Sequence, residues 1–572
     1  MRGAPYPGRE PCRLCQTQGG TELERPTPDL LAPDLVLVNA TIHTVDEAKP
    51  TATAVAIRDG RFVAVGSDDE VRALAGVATT IEDLGGAAVA PGLIDAHNHL
   101  AATGRMLREV QLYDTRAMGE IVDRVAARVR ETPAGEWVVG RGWDESLLAE
   151  GRHPTRHDLD PVSPDNPVVI HRVWNKLVCN SAALRAAGID RETPDPPADV
   201  LYSGSFERDQ QGEPTGLFRD RAKDLITDHV PEPTEEERVA GIAAACRAYN
   251  AVGLTGVAEP GLYPEEIRAY DRAKREGKLT VRTDMLMVAW GFDAPESEQG
   301  LEERFESLGV GGGLGDDLLR LEGIKLMIDG GMSDRTARMF DAYLDDPDNH
   351  GTWVVEPNRL VQLIRWVHNL GWPMDIHTCG DEAQETVVRA FADGQRENPK
   401  PWLRHRVHHA YFPTPAALQA MAEAGIPAVV SSPFLTNLGE GFVNSVGPER
   451  ASRAMPMRTY LNAGVPLAGS SDSSITDYNP WVGIHAAVNR MTATGRDLAK
   501  ETEALTPGEA LRSYTLGGAY VTGREDRQGS IVSGKLADLV VLNRDPLAIA
   551  PNELDQVRPI ATMLGGEWVY RA

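Results

Sequence analysis

Eight short apolar runs through the middle of the chain limit the folds open to it more than any other feature. They are Gly92–His97, Leu254–Glu259, Val281–Val288, Gly323–Ile328, Pro373–Thr378, His405–Ala410, Ile426–Ser432 and Pro466–Ser470. Four helical stretches before such runs stop at Gly253, Gly371, Gly425 and Gly464. Glycine there supplies the left-handed cap that turns a chain straight from helix into strand. One helix start is also well marked, because Thr234 and Glu237 form a capping box before VAGIAAACRAY. Eight apolar strands alternating with helices predict an α/β fold, a (β/α)8 TIM-type barrel, over an open doubly wound sheet. A length of 572 residues leaves room for one barrel with satellites.

The flanks read differently. Leu35–Val45, Ala54–Ile57 and Phe62–Val65 alternate as strands, with a hairpin signal at Asp59-Gly60. Gly529–Leu542 and Ile560–Tyr570, with Gly565-Gly566 at a turn, repeat that texture at the far end. Together they predict a small β-sandwich domain built from both chain ends. The expected division is a mobile arm over 1–33, the composite sandwich over 34–90 plus 527–572, and the barrel over 91–526. An insertion at about 101–250 should interrupt the barrel after its first strand, with its own strands near Trp137–Gly140 and Val168–Val173.

Charge narrows the partners. Lys and Arg number 58 against 84 Asp and Glu, a net of −26, which repels phosphate backbones and anionic membrane surfaces. The first residues lack an apolar leader core, and no 18-residue apolar run occurs, so the expectation is a soluble, cytoplasmic protein. Five cysteines are too few and too odd a count for a disulfide framework. Cys12-x-x-Cys15 in the arm offers two thiolates where a closed zinc site needs four ligands, which argues against such a site in the monomer.

The chemistry-bearing residues cluster at predicted strand ends. His97 and His99 stand at i and i+2 and project to one face of the first run, so both imidazoles can reach one metal. His377, His409 and Asp472 end the fifth, sixth and eighth runs, and Lys325 lies in the fourth. A lone histidine is usually a satisfied core residue, but these positions converge on the rim where barrel enzymes keep their sites.

The ordered stretches LVLVNATIHTVD, APGLIDAHNHL, GRHPTRHDLD, GIKLMIDGGMSDRTA, DIHTCGDEA, RHRVHHAYF, LNAGVPLAGSSDSS and GSIVSGKLADLVVL resemble the amidohydrolase superfamily, specifically the amidohydrolase family 3 branch that includes N-substituted formamide deformylases. The resemblance implies a metal-dependent hydrolase cleaving an amide, N-formyl or N-acyl C–N bond through a metal-activated water. It assigns His97, His99 and Asp472 to one ion, His377 and His409 to a second, and Lys325, as a carbamate, to the bridge. Asp472 would also move the protons. Imidazole and carboxylate ligands suit zinc, one or two ions per chain, while affinity order leaves manganese, cobalt and iron open. A small-molecule substrate is implied, and a homodimer is compatible with the resemblance.

Two departures stand out. His408 occupies the place where family members usually carry glutamate, and strand alternation should turn only one of His408 and His409 inward; the resemblance selects His409. Trp174, Asn175 and Lys176 stand where many members have a histidine-containing motif. Secondary candidates for substrate contact are Trp143, Asp329, Arg335 and Asp381, although tryptophan in an insertion is more often local core. Cys379 reads as packing. The competing functions are a mononuclear deaminase or cyclic-amide hydrolase acting on a heterocycle, and a non-catalytic barrel scaffold.

Overall fold

The computed structural model describes residues 31–145, 147–172, 176–196, 204–290 and 309–572. The N-terminal arm up to residue 30, with Cys12 and Cys15, lies outside them, as do Trp174 and Asn175.

All eight expected barrel strands form. In chain order they are Leu93–Asp95, Leu254–Leu262, Arg282–Trp290, Leu319–Met327, Met374–Thr378, Arg406–His409, Ala428–Val430 and Leu467–Gly469. Each pairs in parallel with the next, and the seam between the last and the first is drawn together by Ala96 N–H donating to the Gly469 carbonyl at 3.1 Å. The predicted glycine stops hold: Gly371 and Gly425 cap their helices at φ 87° and 63°, and Gly253 and Gly464 sit at 90° and 79°. Thr234 and Glu237 complete their capping box at the start of Glu235–Ala251. That helix packs backbone to backbone on Leu100–Met106, because a Cβ at Gly104 would stand 2.1 Å from the Gly241 carbonyl oxygen. The close approach fixes the chain just after His99.

A β-sandwich is built from both ends of the chain. One sheet orders Arg61–Gly66, Ala54–Arg58, Leu35–Val38 and Thr80–Asp83; the other orders Glu567–Arg571, Pro559–Leu564, Leu539–Leu542, Ala88–Pro91, Thr41–His43 and Thr51–Ala52. The Asp59-Gly60 turn has both residues at positive φ, 51° and 72°, as a tight hairpin with right-handed strand twist requires. The expected single strand Leu35–Val45 is corrected to two. Asn39 takes φ 53°, with its N–H held by the Asp68 carboxylate, and sends Leu35–Val38 and Thr41–His43 into different sheets. Within Gly529–Leu542 only Leu539–Leu542 is strand, since Ile531 is bonded to Thr44 in a loop.

The stretch between the first two barrel strands folds on its own six-stranded sheet, ordered Ser205–Arg208, Pro214–Arg219, Lys176–Cys179, Val168–His171, Val138–Arg141 and Val110–Gln111. Helix Met118–Glu131 buries Met118, Ile121 and Val125 against it. No helix among the described residues is long and apolar enough to cross a membrane.

Candidate metal centre

His97 and His99 leave the first barrel strand, and their position is fixed by Asp95 two residues earlier. The buried Asp95 carboxylate accepts from the His97 N–H, Asn98 Nδ2, the Ser471 N–H and the Ser471 hydroxyl, at 3.2, 2.9, 3.0 and 2.5 Å. It therefore ties strand one to the loop after strand eight, and burial pushes its pKa up to about 6. Backbone bonds continue the tie, with Asp472 N–H to the His97 carbonyl at 3.0 Å and His99 N–H to the Ser473 carbonyl at 2.6 Å. Asp472 itself sits at φ 52°, a left-handed conformation that non-glycine residues hold mainly where structure over-determines it. The result is a first cluster: Asp472 Oδ1 lies 3.3 Å from His99 Nε2 and 3.7 Å from His97 Nε2.

His377 and His409 end strands five and six and form the second cluster. His377 Nδ1 faces His409 Nε2 at 3.0 Å, and Cys379 Sγ stands 3.3 Å from His377 Nε2. Ligand atoms of His377, Cys379 and His409 all fall within 4.8 Å of one another, as do those of His97, His99 and Asp472. A further group, His408, His409 and Asp472, joins the two clusters.

The alternation argument for the His408-His409 pair fails. His409 and Ala410 take φ 70° and 48°, so the chain leaves strand geometry there and both rings lie inside. His408 stacks on His97 with centroids 3.3 Å apart and bonds the Ser431 hydroxyl through Nε2 at 3.2 Å.

Lys325 stands nearer the first cluster, its Nζ 3.3 Å from His97 Nε2 and 3.4 Å from Asp375 Oδ1. Asp375 was not among the expected site residues, yet it is the hub below them. Its carboxylate receives His97 Nδ1 at 3.1 Å and Arg406 Nε at 3.0 Å, and Arg406 grips Glu322 at 2.7 and 3.1 Å. Despite the opposing pull of burial, Lys325 and Arg406 hold the Asp375 carboxyl well below the usual range. The signal for Asp95 and Asp375 was present, since each lies two residues before a rim histidine and thus on the same strand face.

Burial drives His97, His408 and His409 well below the ordinary imidazole pKa and His377 down to about 3, with nearby Lys325 adding to each. At His99 burial is outweighed by the Asp472 carboxylate, and the pKa rises. Neutral imidazole is the ligating form. The ring nitrogens His408 Nδ1 and His409 Nδ1 are buried without a hydrogen-bond partner. Two ligands about 2.0–2.1 Å from one tetrahedral ion stand roughly 3.3 Å apart, and the Asp472 separations of 3.3 and 3.7 Å and the His377 Nδ1–His409 Nε2 separation of 3.0 Å lie around that value. The donor set therefore fits divalent cations.

Of the secondary candidates, Asp329 comes within 3.6 Å of His377 Nε2 through Oδ1. Trp143 is 0% exposed in the core of the inserted sheet, with Nε1 donating to the Ile170 carbonyl at 3.1 Å. Asp329 is buried and accepts from the N–H groups of Cys379, Arg338 and Gly380 at 3.1, 3.0 and 2.8 Å; burial pushes it up to about 7. Asp381 accepts from the Phe340 and Glu382 N–H groups, both at 2.8 Å, at the start of helix Asp381–Glu397. Arg335, half-buried at φ 56°, donates to the Asn444 carbonyl at 3.0 Å.

Comparison with known proteins identifies the family. The model of an amidohydrolase family matches residues 80–570. The chain is 30% identical to the putative amidohydrolase YtcJ of Bacillus subtilis, over 92% of this chain and 98% of that protein. It is 31% identical to N-substituted formamide deformylase of Arthrobacter pascens, over 94% and 98%. A crystal structure of an uncharacterized metal-dependent hydrolase from Pyrococcus furiosus superposes with a TM-score of 0.73 at 28% identity, covering 90% of this chain and 99% of that one.

Proposed function

The chain belongs to the amidohydrolase family, and from that premise we propose that its rim groups hold one or two zinc ions and hydrolyse an N-formyl or N-acyl amine. It is a metal-dependent hydrolase of carbon–nitrogen bonds; the proposal narrows the ion, the ligands and the substrate class. The observation that carries it is the meeting of His97, His99 and Asp472 with His377 and His409 at one end of the barrel. Similarity to a protein named for N-substituted formamides supports the formamide end of the range.

His97, His99 and Asp472 would hold one ion, and His377 and His409 the other. Lys325, as a carbamate, would bridge them: its amine nitrogen bonds to the carbon of carbon dioxide and sheds a proton, turning a cation into an anionic oxygen donor. When bound, a divalent ion supplies Lewis acidity that polarises a carbonyl and lowers the pKa of water toward ~7. Asp472 takes the proton of the attacking water on a carboxylate oxygen and returns it to the departing nitrogen. Asp375 keeps the His97 ring oriented by accepting at Nδ1, which leaves Nε2 to face the centre. Burial of His97, His409 and Asp472 excludes bulk water, and His99, with a 33% exposed side chain, marks the side from which substrate approaches.

The test is metal analysis of purified protein, followed by a screen of N-formyl, N-acyl, carbamate and cyclic-amide compounds before and after chelation. Bound zinc and chelator-sensitive release of amine are expected. A folded protein that takes up no divalent ion would sink the reading; a single ion with cyclic-amide turnover would move it to the mononuclear alternative.

A further inference from the structure

The first barrel strand delivers two of the ligands, and they are not held alike. The His97 ring is fixed by Asp375 at Nδ1 and stacked on by His408. The His99 ring meets Asp472 Oδ1 at 3.3 Å through Nε2 and the His97 ring edge-on at 5.4 Å. No carboxylate among the described residues receives its other nitrogen. The aim of this ring therefore depends on the backbone that carries it. That backbone is unusual, because His99 takes φ −93° and ψ 73°, close to an inverse γ-turn and neither strand nor helix.

Three partners hold it there. The His99 N–H donates to the Ser473 carbonyl at 2.6 Å, and the Thr103 N–H donates to the His99 carbonyl at 2.8 Å. The third is Glu259, whose Oε2 accepts from the Leu100 N–H at 2.5 Å and Oε1 from the Ala101 N–H at 3.2 Å. The ψ angle of His99 is the rotation that aims the Leu100 N–H, so a fixed acceptor for that N–H fixes the angle.

Glu259 is itself anchored. It lies in strand two, Leu254–Leu262, where Val257 pairs with Asp95 and the Ala258 carbonyl accepts from the Asn98 N–H at 2.9 Å. It is 1% exposed, with no lysine or arginine in ion-pair contact among the described residues. Burying an unpaired carboxylate is costly, and neutral side chains cap helix starts without that cost. The charge is in place beside a residue that would hold a divalent cation.

We propose that Glu259 is a positioning residue for His99, fixing the two peptide planes after that ligand and so setting the affinity of the first ion. The inference rests on the metal-hydrolase reading above and adds to it a side chain that touches neither ion nor substrate.

The test reads zinc affinity, by competition with a chromophoric chelator on metal-stripped full-length protein. Glu259→Gln leaves one acceptor for two donors and should weaken the equivalent that His99→Ala also weakens, by about 10- to 100-fold, the scale of an outer partner of a ligand. In a His99→Ala background the same change should add nothing, because Glu259 has no ring left to act through. Thr234→Ala is the structural control: it loosens helix Glu235–Ala251, which packs on Leu100–Met106, and should lower the urea midpoint while leaving zinc affinity unchanged. Parental affinity in folded Glu259→Gln protein, a loss that recurs in full without His99, or an equal loss in Thr234→Ala would each overturn the proposal and leave the hydrolase reading standing. Should Glu259→Gln not fold, amide exchange in the unaltered zinc-free protein decides: the Leu100 and Ala101 N–H groups are expected to be protected, and rapid exchange would overturn the proposal. Protein that takes up no zinc at all would instead overturn the hydrolase reading, and this inference with it.

Discussion

The two ends of the barrel interior are both buried and both polar, yet they are built on opposite plans. At the N-terminal end buried guanidinium groups meet carboxylates. Arg282 grips Asp538 at 2.7 Å twice, Arg320 and Arg524 share Asp284 at 2.8 and 2.9 Å, and Arg406 joins Glu322 to Asp375 at 2.7 and 3.0 Å. At the C-terminal end neutral imidazoles face one another, with two ring nitrogens unpartnered. Buried polarity alone thus does not mark a site. The first end is complete as a set of charges, whereas the second has donors converging on a point that only a cation would satisfy.

The largest effect that would sharpen this contrast is at Asp472. Asp472→Asn should keep an oxygen toward the centre but remove the proton carrier, lowering turnover by about 10²- to 10⁴-fold. Metal content and the urea midpoint, measured on the same preparation, should stay close to the parent protein. Near-parental turnover in folded protein would remove Asp472 from its role.

At the opposite end the loss should appear in stability. Arg406→Met strands Glu322 as a buried unpaired carboxylate and leaves Asp375 with Lys325 and His97 alone, and breaking such a pair costs about 3–5 kcal/mol. Urea denaturation measures it, and adding Glu322→Gln should recover part of the loss, because partners in one network are not additive. A loss under about 1 kcal/mol would mean that this end is not closed by its charges.

A third experiment addresses the cation itself. Removing it with a chelator should lower unfolding free energy by about 2.7 kcal/mol relative to protein held at 100 times the dissociation constant. Calorimetry with and without zinc reads the shift. The Arg406→Met loss should persist in both conditions; a loss that vanished with the ion would join the two ends into one cooperative unit.

The rim was legible in the sequence because each ligand lies at a strand end that the apolar pattern already locates: DAHNHL, DIHTCG, RVHHAY and GSSDSS. The layer beneath was not. Asp95 and Asp375 sit in the same strings, but what makes them matter is Ser471 and Arg406, 376 and 31 residues away, and such separations leave no periodicity to read. Backbone conformation hid two further features. The positive φ at His409 brings His408 inward, and that at Asn39 splits one expected strand between two sheets.

Per pH unit, the smallest expected effect separates the two ends by their protons. His405, at the closed end, accepts the Met374 N–H on Nδ1 at 3.2 Å, faces His368 Nδ1 with Nε2 at 2.8 Å, and stacks on Phe391. Burial, then His368 and Arg406, hold its pKa down to about 3. An unfolded histidine takes a proton below ~6.5, so between that pH and about 3 the unfolded chain binds one more proton here than the native one. Stability is therefore present above the unfolded pKa and falls as pH drops through the window, by about 1.4 kcal/mol per pH unit for this one group. His405→Asn keeps an acceptor for the Met374 N–H and removes the titration, so its stability against pH should be shallower by that slope. Since His405 lies outside both rim clusters, the same difference should appear with zinc bound and with zinc removed. A difference seen only in the zinc-free protein would show that protonation at the closed end is coupled to the rim, and the division between a finished end and a cation-ready one would no longer hold.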